Sequence, residues 1–277
     1  MPSTEPIWLD EHNALVKAKR GWFIANKNDT YLGAALLTYG EALELEHQFL
    51  LRLIKPEDRV IEVGANIGIH TVGLCRAARE VIAIEPQPSV YRQLCGNLAI
   101  NNVQNVVVHN AACGSSAGFL NFQPYDTTQE HNSGGVPLSD GPGVAVPVVR
   151  LDTLVSGLDA LKLIKIDVET MELEVLKGAE NLLAKHRPLL YVENEMQSHC
   201  EALVAWLREH EYGMFWHTPP LYNRNNVAGA PNGYRTDVVL VSYNMLCMPY
   251  EWPEVIEGRF AMVTDAYHNN LAFIEEE

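Results

Sequence analysis

Basic residues are scarce in this chain: 20 Lys and Arg stand against 35 Asp and Glu, for a formal net charge of -15. Binding a nucleic acid by neutralising its phosphates requires a basic stripe or patch, and no Lys/Arg cluster occurs along the sequence, so DNA and RNA are not expected as partners. Cysteine is scarce as well. The residues at 75, 95, 113, 200 and 247 are odd in number, widely spaced and set within apolar segments, a pattern of buried thiols in a reducing compartment without zinc-type spacing. No apolar run approaches the length of a membrane span. The opening Met1-Pro2-Ser3-Thr4-Glu5-Pro6 lacks the charged-then-apolar pattern of a secretory leader, and the expectation is a cytoplasmic protein. What is present, 277 residues of which 47% are hydrophobic and 20% charged, is ample for an α/β core.

Glycine is missing at two informative positions. Val60-Ile61-Glu62-Val63 reads as a buried strand, Gly64-Ala65-Asn66-Ile67-Gly68 as a tight loop, and Ile69-His70-Thr71 as the start of a helix. Gly64 and Gly68 permit positive φ and a close approach of ligand to bare main chain, while the helix start points free N–H groups at whatever sits there. A dinucleotide fingerprint, G-x-G-x-x-G, would need glycine at 66 and 69 also, where Asn66 and Ile69 stand. NAD and FAD are therefore disfavoured, because a pyrophosphate needs that closer approach. The next apolar run, Val81-Ile82-Ala83-Ile84, ends in Glu85, an acid at the strand tip placed to accept the hydroxyls of a ribose. Loop and acid together imply a nucleoside-containing cofactor.

Along the chain, residues 1 to about 34 mix Trp8, Trp22 and Phe23 with turn signals and are expected to form a partly irregular cap. Leu43, Leu45, Phe49, Leu50 and Leu53 give a helical stripe within Leu36–Ile54 that Pro56 ends. Glu41, near its start, reads either as a first-turn acid or as a group reaching the cofactor. From there strand and helix alternate: Val81–Glu85, Pro86–Asn101, Val106–Val108, which requires a parallel sheet with right-handed crossovers. Asn110-Ala111-Ala112 at the third strand's end reads as a plain turn, or as a flat shelf for adenine whose edge the Asn110 amide would read. Gly118–Phe122 and Val144–Val149 are expected strands flanking a polar insert, Tyr125–Gly143, that could cover the cofactor. The expected division is a cap and helix over 1–54, a catalytic domain over 55–248 and a tail over 249–277.

Acids recur where the later strands end. Leu163-Ile164-Lys165-Ile166-Asp167-Val168-Glu169 and Leu189-Leu190-Tyr191-Val192-Glu193 are apolar strands tipped by carboxylates, and in an open α/β sheet that end is the ligand side. Glu85, Asp167 and Glu193 thus point to one crevice. A metal shared by Asp167, Glu169 and Glu193 suits hard-cation chemistry, but the spacing matches no established site and no metal is expected. His199–Glu209 reads as a helix, and Met214–Trp216 and Val238–Val241 as closing strands. Between them Tyr222, Asn223, Arg224, Asn225 and Asn226 form either a hydroxyl-binding set or an ordinary surface loop.

The E-V-G-A-N-I-G loop at 62–68, the I-K-I-D-V-E run at 164–169 and the E-x-x-V-L-x-G-A run at 172–179 resemble the FkbM family of S-adenosylmethionine (SAM) dependent methyltransferases, the second and third being the more specific. The resemblance covers Val60–Glu195. It implies a Rossmann-like seven-stranded methyltransferase sheet, mostly parallel with one antiparallel strand near an edge, with helices on both faces and an N-terminal cap. It implies SAM as cofactor, held by Glu62, Gly64, Asn66, Gly68, Glu85, Asn110 and Ala111. It also implies O-methylation of a saccharide or polyhydroxylated metabolite, a small-molecule or glycan acceptor; the candidate bases, read from the strand ends and from side-chain chemistry, are Asp167, on which the family motif agrees, Glu193 and His217. Trp216 would offer a ring face to the sugar. The alternatives are a noncatalytic SAM-binding protein and, against the glycine pattern, a nicotinamide oxidoreductase. One departure is Thr170, where the family usually has Gly, and the backbone after the acids is expected to differ there.

Overall fold

The computed structural model describes residues 5–195, 197–233, 240–252 and 261–264. Its centre is a mixed sheet built from Arg59–Val63 (β1), Glu80–Ile84 (β2), Val106–His109 (β3), Leu163–Ile166 (β4), Leu189–Glu193 (β5), Tyr212–His217 (β6), Asn244–Pro249 (β7) and the short Ala261–Met262 (β8). The spatial order is β8-β6-β7-β5-β4-β1-β2-β3. Strands β3, β2, β1, β4 and β5 pair in parallel, β7 enters antiparallel between β5 and β6, and β8 lies antiparallel on β6. Every residue of β4 is buried, as are the last four of β1. Such near-continuous burial is what a parallel sheet covered on both faces demands.

One face packs Ile61, Val63, Ile164, Ile166, Leu190 and Val192 against Leu176, Leu203 and Trp206 from the C-terminal helices. The other packs Val60, Val81, Leu163, Leu189 and Tyr191 against Phe49 and Leu50 of the helix Glu44–Arg52. Because the pleat has period two, Glu62 falls on this second face, buried beneath the glycine loop.

The N-terminal region is more regular than the sequence suggests. Ile7–Trp8, Asn13–Ala18 and Gly21–Asn26 form an antiparallel sheet. Its edge is closed by side chains of the helix Pro88–Ile100 and the residue that follows it. Asn97 Oδ1 accepts the Ile24 N–H at 2.8 Å, Asn101 Oδ1 accepts the Trp22 N–H at 2.9 Å, and Gln93 Nε2 donates to the Ile24 carbonyl at 2.6 Å. These amides stand in for a fourth strand, and they have no apolar signature that periodicity could detect. The expected single helix over 36–54 is two, Leu32–Tyr39 and Glu44–Arg52. Gly40 caps the first at φ 66°, its N–H returning to the Leu36 carbonyl at 3.0 Å.

The strands expected at 118–122 and 144–149 are present and pair antiparallel. The closing strand expected at 238–241 is displaced: Val238 and Val239 lie outside the described residues, Val241 makes an isolated bridge to Pro220, and the strand that fills the sheet is Asn244–Pro249. Its run Met245-Leu246-Cys247 carries less β-branched character than the valines before it, and only the gap between β5 and β6 selects it. Among the described residues no helix is long and apolar enough to cross a membrane.

Candidate active site

Between β1 and β4 the chain reverses its direction of winding, and a crevice opens at such a switch point beyond the strand ends. Gly64, at φ 85°, turns the chain off β1, and its N–H and that of Ala65 both donate to the Ile84 carbonyl, at 2.9 and 3.0 Å. A β-carbon on Gly64 would stand 1.8 Å from the Asp167 carbonyl oxygen. The loop therefore seats directly against the tip of β4. Asn66 takes the left-handed conformation at φ 48°, which Asn tolerates better than other side-chain-bearing residues. That conformation explains why Asn replaces a fingerprint glycine. Its N–H donates to Glu85 Oε2 at 2.9 Å.

The resulting cleft, of about 340 Å³, brings together Glu62, Gly64, Asn66, Glu85 and Ala111 with Asp167 and Glu193. Three expected residues are not among its lining. Gly68 packs on the helix Pro88–Ile100, where a β-carbon would meet Leu94 at 2.6 Å. Asn110 turns its amide to the carbonyls of Glu85 and Pro86, both at 2.9 Å, and so braces the strand end. His217 has its Nδ1 2.7 Å from the Tyr191 hydroxyl and its ring stacked 4.0 Å from Phe49.

Burial pushes Glu85 up to about 7, against two backbone N–H groups, of Gln87 and Asn66, that favour the carboxylate. Across the cleft, burial and then the charges of Asp167, Glu172 and Glu195 push Glu169 up to about 7. Burial and the neighbouring Asp167, Glu169 and Glu172 raise Glu193 well above the usual carboxylate range. Asp167, Glu169 and Glu193 each offer an oxygen within 4.8 Å of the others, a grouping of the kind hard cations take. The sequence names these three acids at the tips of two strands, and the parallel pairing of β4 with β5 sets them side by side.

Three polar residues beneath these acids escaped the sequence reading. Lys165, 2% exposed, sets its ammonium 2.9 Å from Asp167. Burial opposes that charge, but Asp167, Glu46 and Glu62 outweigh it and raise the ammonium above its ordinary value. His70 lies 3.1 Å from Glu46, which burial alone would raise; His70, Lys165 and His217 overcome this and bring it down to about 2. A lysine inside an otherwise apolar central strand is the one signal that pointed here, since a buried ammonium requires acids around it.

The polar loop after β6 is engaged in its own architecture. Asn223 Nδ2 donates to Glu41 at 2.6 Å, Tyr222 donates to the Ala230 carbonyl at 3.1 Å, and Asn226 closes on Ala230 at 2.9 Å. Glu41 thus anchors this loop and is not among the residues that line the cleft. Leu221 reaches the cleft, whereas Tyr222–Asn226 do not, and Trp216 is buried in the core at 5% exposure. Thr170 stands in the left-handed region at φ 81°, a conformation that a glycine adopts freely.

The cofactor fit can be judged on two buried acceptors. Glu85, 3% exposed, has no cation beside it among the described residues, and Gln87 Oε1 is buried without a hydrogen-bond partner. Both call for donors, and a nucleoside carries them as hydroxyls and an amine. The residues fit.

The family model of the methyltransferase FkbM domain matches residues 62–214. The chain is similar to the hexuronic acid methyltransferase AglP of Haloferax volcanii, 30% identical over 138 residues, which cover 49% of this chain and 56% of that protein. It is also similar to methyltransferase sdnD of Sordaria araneosa, 28% identical over 158 residues, covering 44% and 60% respectively. Thus the chain spans between half and two thirds of the length of these relatives. Among solved structures, precorrin-6y C5,15-methyltransferase from Geobacter metallireducens superposes with a TM-score of 0.50 at 11% identity, over 75% of this chain and 87% of that one, a likeness of fold. Loop, strand order and family model agree, and the chain belongs to the FkbM family of SAM-dependent methyltransferases.

Proposed function

We propose that this chain methylates a hydroxyl oxygen of a saccharide or other polyhydroxylated small molecule. The observation that carries this reading is one continuous cleft joining the glycine loop and Glu85 to three carboxylates at the tips of β4 and β5. Glu85 would hold the ribose hydroxyls, the Gly64–Asn66 loop with Glu62 behind it the methionine end, and Ala111 would lie against the adenine. When bound, the cofactor supplies a methyl group on a sulfonium, an electrophile that needs no further activation.

The chain's own task is to orient the acceptor hydroxyl and take its proton, since an alcohol is a weak nucleophile at neutral pH. Lys165 engages the Asp167 carboxylate at 2.9 Å. Glu193 sits among like charges, which strengthens a base. We therefore assign Glu193 the proton and Asp167 the orientation of the hydroxyl, with Glu169 sustaining the basicity of Glu193. His217, engaged with Tyr191 and Phe49, is left out of the assignment. The name of the Haloferax relative, a hexuronic acid methyltransferase, supports a saccharide acceptor.

Incubation with labelled SAM and a panel of neutral sugars, uronic acids, sugar nucleotides and cell extracts tests the reading. Label on an oxygen of a polyhydroxylated product is the expected result. Label on nitrogen or carbon overturns the reaction class, and cofactor binding without turnover on any acceptor points to the noncatalytic alternative.

A further inference from the structure

Gln87 lies two residues beyond Glu85 and is 6% exposed, with its side chain on the cleft wall. Its backbone N–H donates to Glu85 Oε1 at 2.8 Å, and its Nε2 donates to the Ser133 carbonyl at 2.7 Å. Its Oε1 is buried and has no hydrogen-bond partner. Turning the amide over would not relieve this, because it would set carbonyl against carbonyl at Ser133. A buried acceptor left unpaired costs about 1–3 kcal/mol, so this orientation is maintained against a penalty that a ligand donor would remove.

Ser133 belongs to the polar insert that runs from Tyr125 to Gly143. The insert is fastened to the N-terminal turn: Ser133 Oγ donates to Asp29 Oδ2 at 2.9 Å, Thr30 N–H to the His131 carbonyl at 2.9 Å, and His131 N–H to the Asn28 carbonyl at 2.9 Å. Asn132, Gly134, Val136 and Leu138 of the same insert line the cleft. Gln87 therefore lines the cleft, touches Glu85 through its backbone N–H and holds the insert through its side-chain nitrogen.

We propose that Gln87 is a cofactor-binding residue that couples the nucleoside site to the insert: its Oε1 accepts a hydrogen bond from an N–H or O–H donor of the bound adenosine moiety, while its Nε2 holds Ser133. The inference rests on the cleft being the SAM site. Its consequence is that nucleoside binding firms the insert wall against which the acceptor then packs, and SAM enters before the acceptor.

Calorimetric titration of the whole protein with S-adenosylhomocysteine separates the two readings. No binding to the wild type would defeat the assignment of the cleft itself. Given binding, Gln87→Met is expected to weaken it about tenfold, the effect of one lost buried hydrogen bond. Hydrogen exchange over residues 131–138 should slow when the wild type binds S-adenosylhomocysteine and not when Gln87→Met does. S-inosylhomocysteine, which lacks the adenine amine, identifies the donor. If the amine is the partner, this analogue loses affinity for the wild type and is indifferent to Gln87→Met; if a ribose hydroxyl is, Gln87→Met weakens both ligands equally. Ser133→Ala, which frees the hydroxyl from Asp29 but keeps the carbonyl that Gln87 holds, should retain affinity within about threefold and retain the ligand-induced protection; its loss would place the coupling on the Asp29 anchor and not on Gln87. Affinity within twofold of wild type in Gln87→Met overturns the contact. No ligand-induced slowing in the wild type, or unchanged slowing in Gln87→Met, overturns the coupling.

Discussion

The two ends of the cleft are built in different ways. The end assigned to the cofactor comes mainly from one short stretch of chain, Glu62 to Gln87, with Ala111 added from the end of the next strand, and much of the work there is done by backbone. At the acceptor end, Glu46, Asn132, Asp167, Glu193, Leu221 and Ser242 converge from six segments distant in sequence, and side chains do the work. The first is a local geometry that a motif can specify; the second is a meeting of elements that only the assembled sheet arranges. Chemistry divides along the same line, with buried acceptors awaiting donors at one end and mutually repelling carboxylates at the other.

The largest expected effect lies at the acceptor end. Glu193→Gln should lower single-turnover methyl transfer at saturating SAM by roughly a hundredfold to ten-thousandfold, with Asp167→Asn less damaging, while S-adenosylhomocysteine affinity stays near wild type. A base serves only when deprotonated. Because burial and the neighbouring carboxylates raise Glu193 well above the usual carboxylate range, the wild-type rate should climb with pH beyond that range. Glu169→Gln removes one like charge and should shift that climb to lower pH. Activity lost in EDTA and restored by magnesium would instead make the three acids metal ligands. For stability the sign is opposite: a carboxyl raised in the folded state stabilises below its unfolded value near 4.5 and loses that contribution as pH rises through about 7, so the thermal midpoint should fall from pH 5 to pH 8.

At the cofactor end the corresponding break is Gly64→Ala. The added carbon would stand 1.8 Å from the Asp167 carbonyl at a φ of 85°, so the loop or β4 must shift. A loss of roughly 3 kcal/mol or more in chemical denaturation is expected, together with weakened S-adenosylhomocysteine binding. If binding weakened while methyl-acceptor affinity did not, the two ends would be separable in function as well as in construction.

The smallest effect sharpens the comparison at the junction. Thr170, a β-branched residue at φ 81°, holds a conformation that suits glycine. Thr170→Gly should raise stability by about 1 kcal/mol, read as a higher denaturation midpoint, if released strain exceeds the added chain entropy. A lower midpoint would mean that Thr170 contributes more through its contacts than it costs through its backbone.

The sequence by itself determined the alternation of strand and helix, the glycine loop, Glu85 and the acids at the strand tips, because each is written in a few consecutive residues whose spacing maps onto one turn or one strand end. Burial period and turn chemistry are local properties, and local properties survive in a linear string. Tertiary structure alone decided that Lys165 lies beneath Asp167, that Asn97 and Asn101 close the N-terminal sheet, and that Asn244–Pro249 fills the gap beside β5. It also withdrew Asn110, His217 and Tyr222–Asn226 from the cleft, since a polar side chain at a loop or strand end takes whichever partner packing brings within hydrogen-bond reach. That partner is set by the sheet order, which no window of consecutive residues contains.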